Sequence, residues 1–235
     1  MGNFDRKVEK FIEVFLDQNG YVKVVQGLQN TLLIAVTGLL IGIVIGTLIA
    51  TVRVLPKYKV LPRVLNGICS CYVALFRGTP MVVQLLVFYY VLLPIIGWHI
   101  TGVQVAMLVF GLNSGAYISE IMRSGIQSVD AGQMEAGRSL GLGYTDTMLQ
   151  IIMPQAIKNC LPALVNEMIT LLKETSICGY IGLNELTRGG DIIRGITYDA
   201  MLPLLIVAVI YLVIVMFFTW LMGKLERRLR ESDIR

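Results

Sequence analysis

The 235-residue chain is too apolar for an ordinary water-soluble domain. Hydrophobic residues make up 55% of it and charged residues only 15%, whereas soluble domains carry about 25% charged residues; the mean hydropathy is +0.71. The net charge of +4 does not indicate a nucleic-acid partner, because Lys and Arg concentrate in the cytoplasmic loops of membrane proteins. The composition favours several membrane spans of about 20 apolar residues each.

The first 26 residues predict an amphipathic helix that lies in the membrane interface. Charged residues separate apolar residues that recur at helical spacing, namely Phe4, Val8, Phe11, Ile12, Phe15 and Leu16. A cleavable signal peptide would instead have an uninterrupted apolar segment. We therefore expect the first true span to act as an uncleaved insertion signal.

Five membrane spans are predicted after this helix. The second is unusual because Arg77 interrupts it and Pro80 would break or kink a helix, so we expect an interfacial segment that continues into a tilted helix. The predicted spans are residues 31–52, 64–93, 103–122, 161–181 and 200–222.

The basic residues predict which side of the membrane each loop faces. Arg53, Lys57, Lys59 and Arg63 follow the first span, residues 123–158 follow the third, and a basic tail at 224–235 follows the fifth. Since cytoplasmic loops are rich in Lys and Arg, these three segments are predicted inside, with loops 94–102 and 184–199 outside. The prediction is an all-α, five-span membrane domain over residues 27–223, with its N-terminus outside and its C-terminus inside.

The cysteines and the histidine give no metal-binding pattern. The chain has four cysteines without CxxC spacing and a single histidine, His99, whereas zinc and iron–sulfur sites need clustered ligands. We therefore expect no metal site in this chain.

A helix–turn–helix is predicted in the cytoplasmic stretch between spans three and four, at about residues 130–150. A charged helical segment is followed by Gly141 and Gly143, which permit a tight turn, and a second short helix begins near Tyr144. Such an element can insert into a groove on a partner and move as a rigid body. The alternative is an ordinary cytoplasmic loop.

This stretch is similar to the coupling motif of ABC-importer permeases, in which Glu-Ala-Ala is followed by a glycine. Here Glu135 and Ala136 are followed by Gly137 in place of the second alanine. Four further segments resemble the polar amino-acid branch of the family, which has the type I importer fold: FRGTP at 76–80, LNSGAY at 112–117, LLKETS at 171–176 and LERRL at 225–229. The resemblance extends from about Gly27 to the end of the chain.

The resemblance implies a bacterial cytoplasmic-membrane importer with several subunits. Two cytoplasmic ATPase subunits, a second identical or sister permease and an extracellular amino-acid-binding protein are the expected partners. ATP and Mg²⁺ would be bound by the ATPases and no cofactor by this chain, which contains no GxxxxGK[ST] phosphate-binding loop; the chain itself would not be an enzyme. The residues expected to contact the ATPases are Glu135, Ala136, Gly137, Arg138, Ser139, Leu140 and Gly141.

Polar residues on the third and fourth spans indicate a substrate pathway. A charge at the centre of a membrane helix costs about 2.5–3.5 kcal/mol on insertion scales, so it usually faces a cavity or a partner. Helical spacing places several of these residues on shared faces. The candidate pathway residues are Asn113, Tyr117, Asn166, Glu167, Thr170, Lys173, Glu174, Thr175 and Ser176.

Simpler roles remain open for some of these residues. Asn113 would make an interhelical hydrogen bond, Lys173 and Glu174 would be solvated or paired near the outer surface, and Glu120 would pair with Arg123. For Glu167 the hypothesis is that its carboxylate binds the ammonium group of an amino acid or a cationic side chain.

Two other functional classes were weighed. A self-sufficient channel or ion-coupled carrier would explain the spans and the intramembrane carboxylates, but not the projecting helix–turn–helix. A membrane-embedded enzyme would need a Ser/His, paired-Asp or metal arrangement, and the sequence offers no such pattern.

Overall fold

The computed structural model describes residues 3–54 and 60–231, and all regular secondary structure within those ranges is helical. The predicted basic residues Lys57, Lys59 and Arg235 lie outside them. The helices are α1 (Asn3–Ile12), α2 (Gly20–Val54), α3 (Val60–Gly78), α4 (Met81–Val87), α5 (Leu93–Ile96), α6 (Gly102–Gln127), α7 (Ala131–Ser139), α8 (Tyr144–Thr147), α9 (Met153–Glu174), α10 (Leu186–Thr197) and α11 (Met201–Glu231).

The number of apolar spans in the described part of the chain is smaller than the five predicted. Three helices, α2, α6 and α11, are long and apolar enough to span a membrane. A fourth span results if α3 and the helical segment Met81–Ile96 are counted together as one broken span. The predicted fourth span, 161–181, does not qualify. Its helix α9 contains Lys158, Glu167, Lys173 and Glu174, and these charges lower its mean hydropathy; it also ends at Glu174, where a 3₁₀ segment, Thr175–Ile181, follows.

The chain divides into two compact units. The first comprises the described residues of Met1–Gly38, Pro80–Phe110 and Ile169–Thr219, and the second those of Leu39–Thr79, Gly111–Met168 and Trp220–Arg235. The division falls within α2, α6, α9 and α11, so each long helix contributes residues to both units.

In the first unit, α1 packs against α10 and α11 through one apolar face. Phe11 and Val14 belong to a buried cluster with Leu186, Ile193 and Val207. An ion pair of 2.8 Å between Lys7 Nζ and Asp199 Oδ1 adds a polar contact beside this cluster. The amphipathic pattern of α1 therefore has a packing partner within the chain, and its placement in a membrane interface stays a prediction.

A buried carboxylate fixes the start of α10 in the same unit. Glu185 is only 1% exposed, and its carboxylate accepts hydrogen bonds from the backbone N–H groups of Thr187 and Arg188 at 2.7 and 2.6 Å. The Tyr211 hydroxyl of α11 donates to it at 3.3 Å. Burial raises the pKa of Glu185, and the hydrogen bonds from Thr187 and Arg188 oppose that shift. As an N-cap, Glu185 satisfies amide groups that a helix leaves unpaired at its start.

In the second unit, glycines let α2 and α6 approach closely. A Cβ atom at Gly42 would lie 2.7 Å from Ser114 Oγ, and one at Gly115 would lie 2.8 Å from Ile45 Cγ2. Each helix carries two glycines four residues apart, so the contact is reciprocal: Gly42 and Gly46 on α2, Gly111 and Gly115 on α6. Membrane helices commonly associate through such small-residue faces, since little hydrophobic force drives them together in lipid.

We expect Gly46→Leu to destabilise the protein, because a Cβ there would lie 2.7 Å from Ile118 Cγ2 and 2.9 Å from the backbone nitrogen of Ser119. Overpacking of this kind costs about 1–3 kcal/mol. Thermal unfolding of the detergent-purified protein measures the effect. Gly67→Leu on α3 is the matched control, because nothing lies within 4 Å of a Cβ at Gly67; equal losses in both variants would contradict the packing argument.

Candidate functional site: an intramembrane polar cluster and a projecting helix pair

A buried carboxylate–hydroxyl pair joins α6 and α9 in the second unit. The hydroxyl of Ser114 donates to Glu167 Oε1 at 3.0 Å, and Glu167 is 8% exposed while Ser114 is fully buried. Sequence reasoning selected Glu167 as a polar-face residue of α9 but missed Ser114. The signal for Ser114 was its place between Gly111 and Gly115, since such glycines let a neighbouring helix come close.

Asn113 makes the interhelical hydrogen bond that was weighed as the alternative to substrate contact. Its Nδ2 donates to the Phe76 carbonyl near the end of α3 at 3.3 Å, and Asn113 is 4% exposed. The hydroxyl of Tyr72 on α3 also donates to the carbonyl of Leu112 on α6. These contacts fix the end of α3 against the middle of α6.

Tyr117 is partly exposed, and the guanidinium group of Arg77 lies above its aromatic ring. The guanidinium carbon of Arg77 is 5.2 Å from the ring centroid, and Tyr117 is 37% exposed. The sequence marked Arg77 as an interruption of the second span and as part of the FRGTP segment, and its contact with Tyr117 is new information from the tertiary structure.

Glu120 belongs to a three-residue ion network that links α2 and α6. It pairs with Arg123 on its own helix, as expected from the sequence, with 2.6 Å between Arg123 Nη2 and Glu120 Oε2. It also pairs with Arg53 near the end of α2. Arg53 was read only as part of a basic loop, because sequence spacing cannot show a contact between residues 67 positions apart.

The remaining predicted pathway residues are divided between the two units. Asn166 is exposed in the second unit. Thr175 is fully buried, and its hydroxyl donates to the Leu172 carbonyl at 2.7 Å. Lys173 is exposed, whereas Thr170, Glu174, Thr175 and Ser176 are buried or half-buried, and all five belong to the first unit.

The predicted helix–turn–helix is present, but its second helix is not short, because α8 continues through a π-helical segment, Met148–Ile152, into α9. Asp130 caps α7, its Oδ1 accepting from the backbone nitrogen of Gly132 at 2.6 Å. Gly141 follows the helix with φ +89°, a left-handed conformation that glycine adopts without a steric penalty. The chain then turns back and α8 begins at Tyr144.

Gly137 is buried where α7 meets α8, and the rest of the motif is exposed. A Cβ at Gly137 would lie 2.5 Å from Thr147 Cγ2 and 2.9 Å from Thr147 Oγ1, so the threonine occupies the space that an alanine would need. Leu140 is 83% exposed. The other exposed members of the predicted contact set are Glu135, Ala136, Arg138, Ser139 and Gly141.

We expect Gly137→Ala to destabilise the helix pair and Thr147→Ala to rescue it, because Thr147→Ala removes both of the nearest atoms. The single Thr147→Ala change loses the 2.9 Å hydrogen bond from its hydroxyl to the Gly143 carbonyl, worth about 1 kcal/mol, and the packing of its buried methyl group. The stability of the helix pair is measured by limited proteolysis of residues 131–147 in the two single variants and the double variant. A double variant as labile as Gly137→Ala would show that Thr147 is not the obstacle.

The fold matches that of a solved ABC transporter. A structure described as "Crystal structure of an amino acid ABC transporter with histidines" aligns with a TM-score of 0.83 and 40% sequence identity, covering 91% of this chain and 98% of that one. The methionine ABC transporter MetNI aligns with a TM-score of 0.74 at 21% identity, covering 88% of this chain and 95% of its counterpart; at that identity the likeness concerns the fold alone. The fold is that of a type I ABC importer permease in an all-helical membrane protein.

The family model for the binding-protein-dependent transport system inner membrane component matches residues 38–231, and the chain belongs to this family. The arginine transport system permease protein ArtQ of Bacillus subtilis (strain 168) is 38% identical over 210 residues, 89% of this chain and 94% of that protein. The glutamine transport system permease protein GlnP of Escherichia coli (strain K12) is 35% identical over 207 residues, 88% and 92% of the two chains. The predicted resemblance to permeases of ABC amino-acid importers is confirmed.

Proposed function

We propose that this chain is the transmembrane subunit of an ATP-driven importer that moves a polar or charged amino acid across the bacterial cytoplasmic membrane. The observation that carries the proposal is the exposed helix pair α7–α8 with its apolar tip Leu140, in a chain whose relatives are amino-acid transport permeases. Burial of the Leu140 side chain in a partner would remove its apolar surface from water.

Coupling would run through residues 131–147 to two ATPase subunits that bind ATP and Mg²⁺, with no cofactor or catalytic step in this chain. ATP-driven closure of the ATPases would move the helix pair and change the pathway from inward-open to outward-open. A second permease, identical or sister, completes the pathway, an extracellular amino-acid-binding protein delivers the substrate, and membrane lipid surrounds the assembly.

The proposed topology has five crossings with the N-terminus outside and the C-terminus inside. The fourth crossing in chain order is α9, which hydropathy alone does not identify and whose polar residues would face the pathway rather than lipid. In this arrangement α1 lies at the outer surface, and the basic tail after residue 223 lies in the cytoplasm, as the positive-inside rule requires.

The test is ATP hydrolysis by the reconstituted complex of this permease, its ATPase and its binding protein across a panel of amino acids. We expect stimulation by a polar or cationic amino acid and no transport by the chain reconstituted alone. Transport by the chain alone, driven by an ion gradient, would favour the ion-coupled carrier that the buried Glu167 also permits.

A further inference from the structure

A cavity of about 370 Å³ lies in the second unit, at the end of the apolar helix α2. Its walls are the last two turns of α2, the end of α6 and the helical segment that runs from α8 into α9. Except for Tyr144 and two threonines, the side chains that line it are apolar, and three of them are methionines, Met122, Met148 and Met153. Methionine side chains are flexible and adapt to irregular apolar ligands.

The threonines on the α2 wall add little polarity to the cavity. The hydroxyl of Thr51 donates to the carbonyl of Thr47 at 2.8 Å, so its hydrogen-bonding capacity is used within the helix. A buried water molecule needs two to four polar partners, and this lining offers few. In another protein, an apolar cavity of about 150 Å³ stays dry and binds benzene. An apolar ligand therefore suits this cavity better than water does.

Exposed apolar surface leads along α2 to the cavity. Leu40, Val44 and Leu48 are 58%, 62% and 64% exposed, and their spacing of four residues places them in one stripe on the helix. Thr51, which lines the cavity, follows three residues later and is also exposed. On the opposite wall Leu149 is 62% exposed, so the cavity is open beside the stripe. In a membrane protein such a stripe contacts lipid or another helix.

The size of the cavity favours lipid over another helix. One turn of an α-helix with its side chains is about 10 Å across and 5.4 Å long, which corresponds to roughly 420 Å³. The cavity is smaller than that single turn, whereas an acyl chain is thin enough to enter it. An acyl chain would also continue the lipid that covers the stripe on α2.

The cavity borders the segment that joins the projecting helix pair to α9. Tyr144 is the first residue of α8, and Met148 and Leu149 belong to the π-helical segment Met148–Ile152. Such π-helical segments are frequent at functional sites. An occupant of the cavity would contact α2, α6 and this segment together, and a ligand stabilises the arrangement that binds it.

We propose that an acyl chain of a membrane phospholipid occupies this cavity and stabilises the packing of the α8–α9 segment against α2 and α6. The cavity is a lipid site separate from the predicted substrate pathway, since none of the pathway residues lines it. The inference is independent of which amino acid is transported.

The experiment measures how much phospholipid stays bound to the purified full-length permease. Phosphatidylcholine proteoliposomes are dissolved and washed with detergent, and native mass spectrometry then identifies and counts the retained lipid. We expect about one phospholipid per wild-type permease, and about tenfold less in Thr51→Phe, whose ring would displace part of the acyl chain. Val44→Phe is the matched control, because valine and threonine have similar shapes and Val44 lies on the same helix outside the cavity. It should retain lipid as the wild type does.

A second measurement adds phosphatidylcholine to the delipidated protein and follows thermal unfolding. The Tm of the wild type and of Val44→Phe should rise by about 2 °C or more, and that of Thr51→Phe should not. If Thr51→Phe does not fold, Ile157→Trp decides, because it fills the cavity from the opposite wall. Wild-type retention in a folded cavity-filling variant overturns the inference. So does a wild-type permease that retains no phospholipid, or one whose retained mass is that of a free fatty acid or detergent.

Discussion

Leu140→Asp is expected to uncouple this permease from its ATPase. Leu140 is 83% exposed and lies directly after α7, where the chain turns toward α8. In the proposed complex it inserts into an apolar groove, and a carboxylate moved there would lose its hydration without gaining a partner. Central interface positions lose about 2 kcal/mol or more when disrupted, so ATPase affinity should fall by about thirtyfold or more.

The measurement is co-purification of the ATPase with the permease, together with substrate-stimulated ATP hydrolysis in proteoliposomes. Leu140→Met is the control, since it keeps an apolar side chain of similar volume and should retain both activities. Because Leu140 makes so little contact within the chain, the variant's own thermal stability should stay near wild type. Full co-purification and coupling in Leu140→Asp would show that the tip of the helix pair does not contact the ATPase.

Glu167→Gln is expected to reduce uptake of a cationic amino acid by about tenfold or more while the complex still assembles. Glutamine has nearly the same shape, and its carbonyl can still accept the hydrogen bond that Ser114 donates at 3.0 Å. What the change removes is a negative charge in a buried, weakly polar setting, where an ionic hydrogen bond contributes about 1.5–3 kcal/mol. Uptake kinetics in proteoliposomes, with size-exclusion chromatography as the assembly check, measure the effect.

Ser114→Ala separates substrate binding from simple packing. It removes the hydroxyl that orients Glu167 but keeps the carboxylate charge, so its uptake should fall much less than that of Glu167→Gln. If Glu167 serves only to join α6 to α9, Ser114→Ala should lose more thermal stability than Glu167→Gln, which keeps the hydrogen bond, and neither should change KM. Unchanged uptake kinetics in Glu167→Gln would discard its role in substrate binding.

The sequence could predict the membrane class and the helix pair because both depend on local information. Uncharged runs give the apolar helices α2, α6 and α11, since each position in a span contributes independently to hydropathy. Glycines after a charged helical segment likewise predict the turn at Gly141. The same measure does not identify α9 as a span, because α9 combines the length of a span with four charged residues.

The tertiary structure alone decided which polar residues meet. Ser114 and Glu167 are 53 residues apart and Arg77 and Tyr117 are 40 apart, so neither pairing follows from periodicity, which shows only that residues share a face of one helix. Gly137 is similar: the motif allowed any small residue there, and only the position of Thr147 explains a glycine. The sequence by itself determined an apolar, multi-span helical chain with a projecting helix pair, because those properties follow from neighbouring residues. The partners of Glu167 and Arg77 were decided by packing between helices far apart in the sequence, and that of Gly137 by the packing of α7 against α8, and no local pattern encodes either.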